Sequence, residues 1–158
     1  MIESSNVLAF EGIMVPMVTP LLSNGELDKK GVERVVKHLV NGGVQGIFIL
    51  GTTGEAASLK PAIKKDLIEI SCKEANGKTP VFVGITHTAL EVSLKLARSA
   101  KENGAVAVVA ALPYYFALDQ DDIFHYYVKL ADHSPLPLFL YNYPVMTKST
   151  IAPETVLK

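Results

Sequence analysis

Apolar residues along this chain follow two rhythms that take turns. Short unbroken runs, GIMVPMVTP (12–20), VQGIFIL (44–50), PVFVGI (80–85), AVAVVAAL (105–112) and LPLFLYNYP (136–144), are separated by longer stretches whose apolar positions recur every three or four residues. An unbroken apolar run of strand length reads as a strand buried on both faces. Three-to-four spacing reads as an amphipathic helix. The first helix is expected from an Asp28 N-cap to about Asn41, with Val32, Val35, Val36, Leu39 and Val40 on one face and Gly42-Gly43 as the stop. The second starts near Pro61, a residue suited to the first helical position, and ends at Asn76-Gly77, burying Ile63, Leu67 and Ile70. The third runs from about Ala89 to Asn103 and buries Val92, Leu94, Leu96 and Ala100 or close neighbours. The fourth runs from Asp121 or Asp122 to about Asp132. The closing IAPETVLK reads as the start of a fifth.

Strands that alternate with helices imply parallel pairing through right-handed crossovers. Two architectures carry that pattern, a doubly wound open sheet and a (β/α)8 barrel. Five strand–helix units are present in 158 residues, whereas a closed barrel needs eight and roughly 250 residues. The pattern therefore reads either as a complete five-stranded open sheet or as the first part of a barrel. Periodicity does not choose between them. With no linker or low-complexity segment, residues 1–158 read as one domain.

Composition narrows the function classes. Apolar residues make up 49% and charged residues 20%, an ordinary balance for a globular chain, and the formal net charge is -1. No basic field calls for nucleic acid or anionic lipid. The apolar runs are strand-sized, so no membrane span is expected. The N-terminal MIESSNVLAFEG has no basic region followed by an apolar core and does not read as a signal peptide. The single cysteine, Cys72, rules out an internal disulfide and any cysteine-rich metal site. A cytoplasmic protein is the expectation.

In either architecture, function gathers at the C-terminal ends of the strands. There the chain places Thr19-Pro20, then Gly51-Thr52-Thr53-Gly54-Glu55, then Thr86-His87-Thr88, then Pro113-Tyr114-Tyr115, then Tyr141-Asn142-Tyr143-Pro144. Hydroxyls are many and free charges few. GTTGE makes sense as an anion cradle: glycines allow a tight backbone, and two threonines add hydroxyl donors. A plain strand-to-helix turn would use the same residues. No lysine follows at Walker spacing. Tyr141 ends an otherwise apolar strand; its hydroxyl could relay a proton, or it could be an aromatic core residue. His87 could be a base, although a lone loop histidine is more often a bystander. The histidines show no metal-ligand spacing, and Cys72 falls within a helix.

Taken in order, VTP (18–20), GTTGEAASL (51–59), PYY (113–115) and LYNYP (140–144) resemble the pyruvate-dependent class I aldolases of the dihydrodipicolinate synthase and N-acetylneuraminate lyase family, from about Gly12 to the last residue. The resemblance implies a (β/α)8 barrel of which this chain holds about the first five units. It implies that Gly51, Thr52 and Thr53 bind the carboxylate of pyruvate and that Thr52 also joins a proton relay. By the same likeness Tyr141 is the catalytic tyrosine, and Tyr115 is the relay tyrosine that reaches into a neighbouring subunit. A homo-oligomer, dimer or tetramer, is implied. The family forms an imine between pyruvate and a lysine at the end of strand 6, in a GIKD- or GIKE-like motif that this chain does not contain. Lys148 and Lys158 stand elsewhere, so the chain alone is expected to be inactive. No cofactor or metal is implied, because the imine is the electron sink.

Two departures bear on substrate. Met146 stands where the synthases commonly carry an arginine that binds the second substrate's carboxylate, and GITHTAL replaces a GTGSN-like loop. Both favour a carbon–carbon lyase acting on a sugar-acid-like 2-keto acid. The alternatives are a 4-hydroxy-tetrahydrodipicolinate synthase of lysine biosynthesis and a truncated, non-catalytic keto-acid binder.

Overall fold

The structure, a computed structural model, describes residues 10–158. The stretch read for a signal peptide lies, up to residue 9, outside them. Five strands form one sheet: β1 (Met14–Pro16), β2 (Gly46–Ile49), β3 (Val81–Gly84), β4 (Ala107–Ala111) and β5 (Leu138–Tyr141). All pair in parallel, in the sequential order β1-β2-β3-β4-β5. That order decides between the two architectures. A doubly wound sheet reverses direction at a switch point. Here every crossover steps the same way, so the helices α1 (Lys29–Asn41), α2 (Pro61–Ala75), α3 (Leu90–Glu102) and α4 (Gln120–His133) cover one face, as in a barrel wall.

The strands split their residues between the two faces. Ile47, Ile49, Val83, Val108 and Ala110 belong to the main apolar core with the buried sides of the helices. Their neighbours along the strands point the other way. Phe48 pairs in register with Phe82, and Ala111 pairs with Tyr141. This inner face is aromatic: Phe82 meets Phe10 at 4.8 Å and Phe139 at 5.6 Å, and Phe48 meets Tyr141 edge-on at 6.4 Å. Glycine at 46 makes room, since a Cβ there would lie 2.9 Å from the Phe82 ring.

The helices form where their patterns place them. Asp28 caps α1 by accepting from the Gly31 N–H at 2.9 Å, and Val32 and Val36 are fully buried. Pro61 opens α2, whose buried side holds Ile63, Leu67 and Ile68; Ile70 is only half-buried. Lys64 is buried on the same helix, and the loss of solvent pushes its ammonium pKa down. On α3 the buried residues are Ser93, Leu94, Ala97 and Ala100, with Val92 and Leu96 at the margin. The fourth helix starts one or two residues earlier than its acidic run suggested, because Asp119 takes the Asp122 N–H at 2.9 Å.

Two elements depart from expectation. β1 is shorter than its apolar run: its register with β2 covers only Met14 to Pro16, with the Met17 N–H still reaching the Phe48 carbonyl at 2.8 Å, and the missing N–H of Pro16 falls on the edge that faces away from β2. After β5, YNYP does not stay extended. Pro144 opens a one-turn helix, α5 (Pro144–Thr147), which Lys148 closes in a left-handed conformation, φ 59. Within IAPETVLK, Pro153 opens α6 (Pro153–Val156).

Candidate active site

The loop after β2 is the most contorted segment of the sheet's C-terminal edge. Its left-handed residues are Leu50 (φ 57) and Glu55 (φ 55), not its glycines. A leucine in that region carries roughly 1–2 kcal/mol of strain, a cost that tends to gather at functional sites. The glycines serve close approach instead. A Cβ on Gly51 would lie 2.7 Å from the Phe48 ring, and one on Gly54 would lie 3.0 Å from the Met17 carbonyl. The Thr19 hydroxyl donates to the Gly54 carbonyl at 2.7 Å in a buried bond, which ties the loop to the end of β1. From the neighbouring strand, Gly84 lets the Leu50 carbonyl pass, where any Cβ would overlap it.

Among the described residues, the turn leaves several main-chain donors without partners. The Glu55 N–H returns to the Thr52 carbonyl at 3.0 Å and that of Ala56 to Gly51 at 3.4 Å. Among the described residues, the N–H groups of Thr52, Thr53 and Gly54 meet no protein acceptor. Such a set suits an anion.

A cavity of about 350 Å³ opens beside this loop, at the C-terminal ends of β2 to β5. Gly51 and Thr52 form one wall and Tyr141 another, with Phe48 and Thr86 between. Three of the residues expected at the site therefore share one cavity. Tyr143 stacks on Tyr141 at 5.5 Å with the rings 16° apart, which fixes the phenol's plane. The one-turn helix α5 brings Met146 and Thr147 onto the rim. Asn142 does not face a ligand: its side chain brackets Ile151, accepting from its N–H at 3.1 Å and donating to its carbonyl at 3.3 Å.

The other two expected residues lie apart. Thr53 is exposed and does not border the cavity. Tyr115 is 72% exposed, pairs edge-on with Phe116 at 4.9 Å, and faces an outer groove of about 830 Å³ bounded by α4. Tyr114 borders both spaces. His87 also points elsewhere; its Nδ1 accepts the Ala89 N–H at 3.0 Å at the start of α3. Among the described residues, the only charged side chain on the cavity is Glu55, no lysine reaches it, and no cluster of potential metal ligands exists. Cys72 is buried at a distance from this chemistry, and burial pushes its thiol up to about 11, which keeps it protonated and inert.

Sequence reasoning placed Thr86 at a strand end without giving it a role, and passed over Phe48 and Gly84. The strand alternation around Phe48 was visible, but a run apolar on both faces hides which residues look inward. Gly84 reads as an ordinary strand glycine until Leu50 is seen to cross it.

Proteins of known name are similar to this chain. The probable 2-dehydro-3-deoxy-D-pentonate aldolase YjhH of Escherichia coli K12 is 36% identical over 149 residues, 94% of this chain and 50% of that protein. Dihydrodipicolinate synthase from Bacteroides thetaiotaomicron superposes with a TM-score of 0.89 at 45% identity, over 94% of this chain and 50% of that one. YagE of E. coli K12, solved in complex with pyruvate, gives a TM-score of 0.89 at 31% identity, over 93% of this chain and 49% of its own. The chain thus spans about half the length of the relatives it matches, and its five-stranded sheet corresponds to the first half of their barrel. Residues 9–158 match the Dihydrodipicolinate synthetase family, and the chain belongs to that family.

Proposed function

We propose that the whole protein is a Schiff-base-forming, pyruvate-dependent aldolase or lyase and that this chain carries its carboxylate cradle and its proton relay. The observation that carries the proposal is the cavity that joins Thr52, on the strained loop after β2, to Tyr141 at the end of β5. The loop N–H groups and the Thr52 hydroxyl take the keto-acid carboxylate. Thr53 adds its main-chain N–H. A lysine amine from a sixth strand condenses with the keto carbon, with loss of water. As the carbon–carbon bond breaks, the Tyr141 oxygen takes the proton of the aldol hydroxyl while its own proton passes to the Thr52 hydroxyl and on through the relay, and the transfers reverse when the bond forms. An imine lysine needs a desolvated setting to be neutral, and the apolar walls of this cavity supply one.

The preferred substrate is a sugar-acid-like 2-keto acid. Met146 on the rim offers neither charge nor donor to a second carboxylate, and YjhH carries a pentonate-aldolase name. A second reading, 4-hydroxy-tetrahydrodipicolinate synthase, is favoured by the 45% identity to the Bacteroides thetaiotaomicron enzyme. Tyr115, exposed beside the outer groove, is assigned to contact with a second subunit in a cytoplasmic homo-oligomer.

The test is the intact mass of the naturally expressed protein before and after pyruvate with borohydride. A single reduced pyruvate adduct, mapped to a lysine beyond β5, is the expected result. A folded protein that binds pyruvate without an adduct would replace the enzyme with a keto-acid-binding relative.

A further inference from the structure

Thr86 follows β3 and lines the cavity between Thr52 and Tyr141. Its surroundings give its hydroxyl a definite direction. The ladder between β3 and β4 runs regularly up to the Ile85 N–H, which reaches the Val109 carbonyl at 2.9 Å. One step further, the Ala111 N–H goes to the Thr86 Oγ1 at 2.9 Å, where a regular ladder would offer a main-chain carbonyl. That bond uses a lone pair of the oxygen. A hydroxyl has one proton to give, and among the described residues the Thr86 proton has no protein acceptor. With Oγ1 held by Ala111, the open side is the cavity.

We propose that Thr86 donates this proton as a hydrogen bond to the keto oxygen of the bound 2-keto acid. The inference rests on the function proposed above. In a 2-keto acid the keto oxygen sits on the carbon next to the carboxylate. The carboxylate cradle follows β2 and Thr86 follows β3, its neighbour in the sheet, about 4.8 Å away. Tyr141 stands two strands further on, where it faces the atoms beyond the keto carbon. A donor on the keto oxygen polarises the carbonyl towards the attacking amine and stabilises charge as the carbon–nitrogen bond forms; the oxygen then leaves as water. The bond to Ala111 preorganises the donor before substrate arrives.

The experiment uses the naturally expressed protein and pyruvate itself as the probe, reading the rate of borohydride-trapped adduct against pyruvate concentration. Thr86→Val is expected to lower the adduct-forming efficiency by about tenfold or more, the effect of losing one hydrogen bond to a polar atom in a desolvated site. Thr86→Ser, which keeps the hydroxyl, is expected to restore it. A purely structural role would lower the melting temperature of the valine variant without a matching loss of trapping rate. If the valine variant does not fold, Thr86→Cys, which lacks the methyl group and keeps only a weak donor, takes its place in the same assay. An efficiency within about twofold of wild type in the folded variant, or no rescue by serine, overturns the assignment of Thr86 alone. A wild-type protein that forms no adduct overturns this assignment and the enzyme reading together.

Discussion

At the scale of single residues, the site is shaped by side chains that are missing as much as by those present. Gly84 has no ligand and no left-handed φ, yet the Leu50 carbonyl occupies the space any Cβ would need. Gly84→Ala should therefore cost at least about 2–3 kcal/mol, the upper range of overpacking penalties, because its neighbour is backbone and cannot swing aside. Urea unfolding would read this as a lower midpoint at unchanged slope. A loss below about 0.5 kcal/mol would mean that the loop after β2 relaxes freely and that its strain is not held by the fold. Tyr127 shows how a polar group is accommodated in the core: its hydroxyl donates to the Ala110 carbonyl at 3.0 Å, and burial, with Tyr126 beside it, pushes its pKa up.

At the scale of elements, helix starts follow side-chain chemistry closely. The Asp28 carboxylate accepts the Gly31 N–H and also meets Arg34 at 3.3 Å. The arginine is exposed, so the cap is the larger contribution. Asp28→Ala is expected to lower unfolding stability by about 1 kcal/mol, while Arg34→Ala, which leaves the cap in place, should change it by only a few tenths. Equal losses in denaturant melts would show that the ion pair, not the cap, holds the start of α1. The α1 helix packs directly on α2, so the cap also supports the wall behind the Thr52 loop.

At the scale of the whole molecule, the alkaline limb of stability should carry the signature of buried acids kept protonated. Cys72 has its thiol pushed up to about 11 by burial, from an ordinary 9.0. Below pH 9 both folded and unfolded thiols hold their proton, and the full stability is present. Between about pH 9 and 11 the unfolded chain releases the proton while the folded chain keeps it. Stability therefore falls as pH rises through that window, by up to about 2–3 kcal/mol from this group. The raised Tyr127 pushes in the same direction at still higher pH. Denaturant midpoints measured from pH 8 to 11 should decline, and Cys72→Ala should flatten the decline even if it lowers stability throughout. An unchanged slope in that variant would remove the thiol from the account.

The sequence by itself determined the five strands and the helices that follow them in alternation, the cap at Asp28, the proline at the start of α2, and the grouping of Thr52 and Tyr141 at strand ends, though not the one-turn helix α5. Each of these rests on local chemistry or on period, which are written along the chain. Tertiary structure decided the rest. Sequential strand order, and with it a barrel wall rather than a doubly wound sheet, depends on which strand edges meet, and an apolar run has the same composition in either case. The part played by Gly84, the strain at Leu50 and the inward face of Phe48 depend on what lies across from them in space. The separation of Tyr115 from Tyr141 has the same origin: both follow strands, but only the path of each loop sets which cavity its ring enters. Thr86 acquires its direction from one N–H on a neighbouring strand, 25 residues further along the chain.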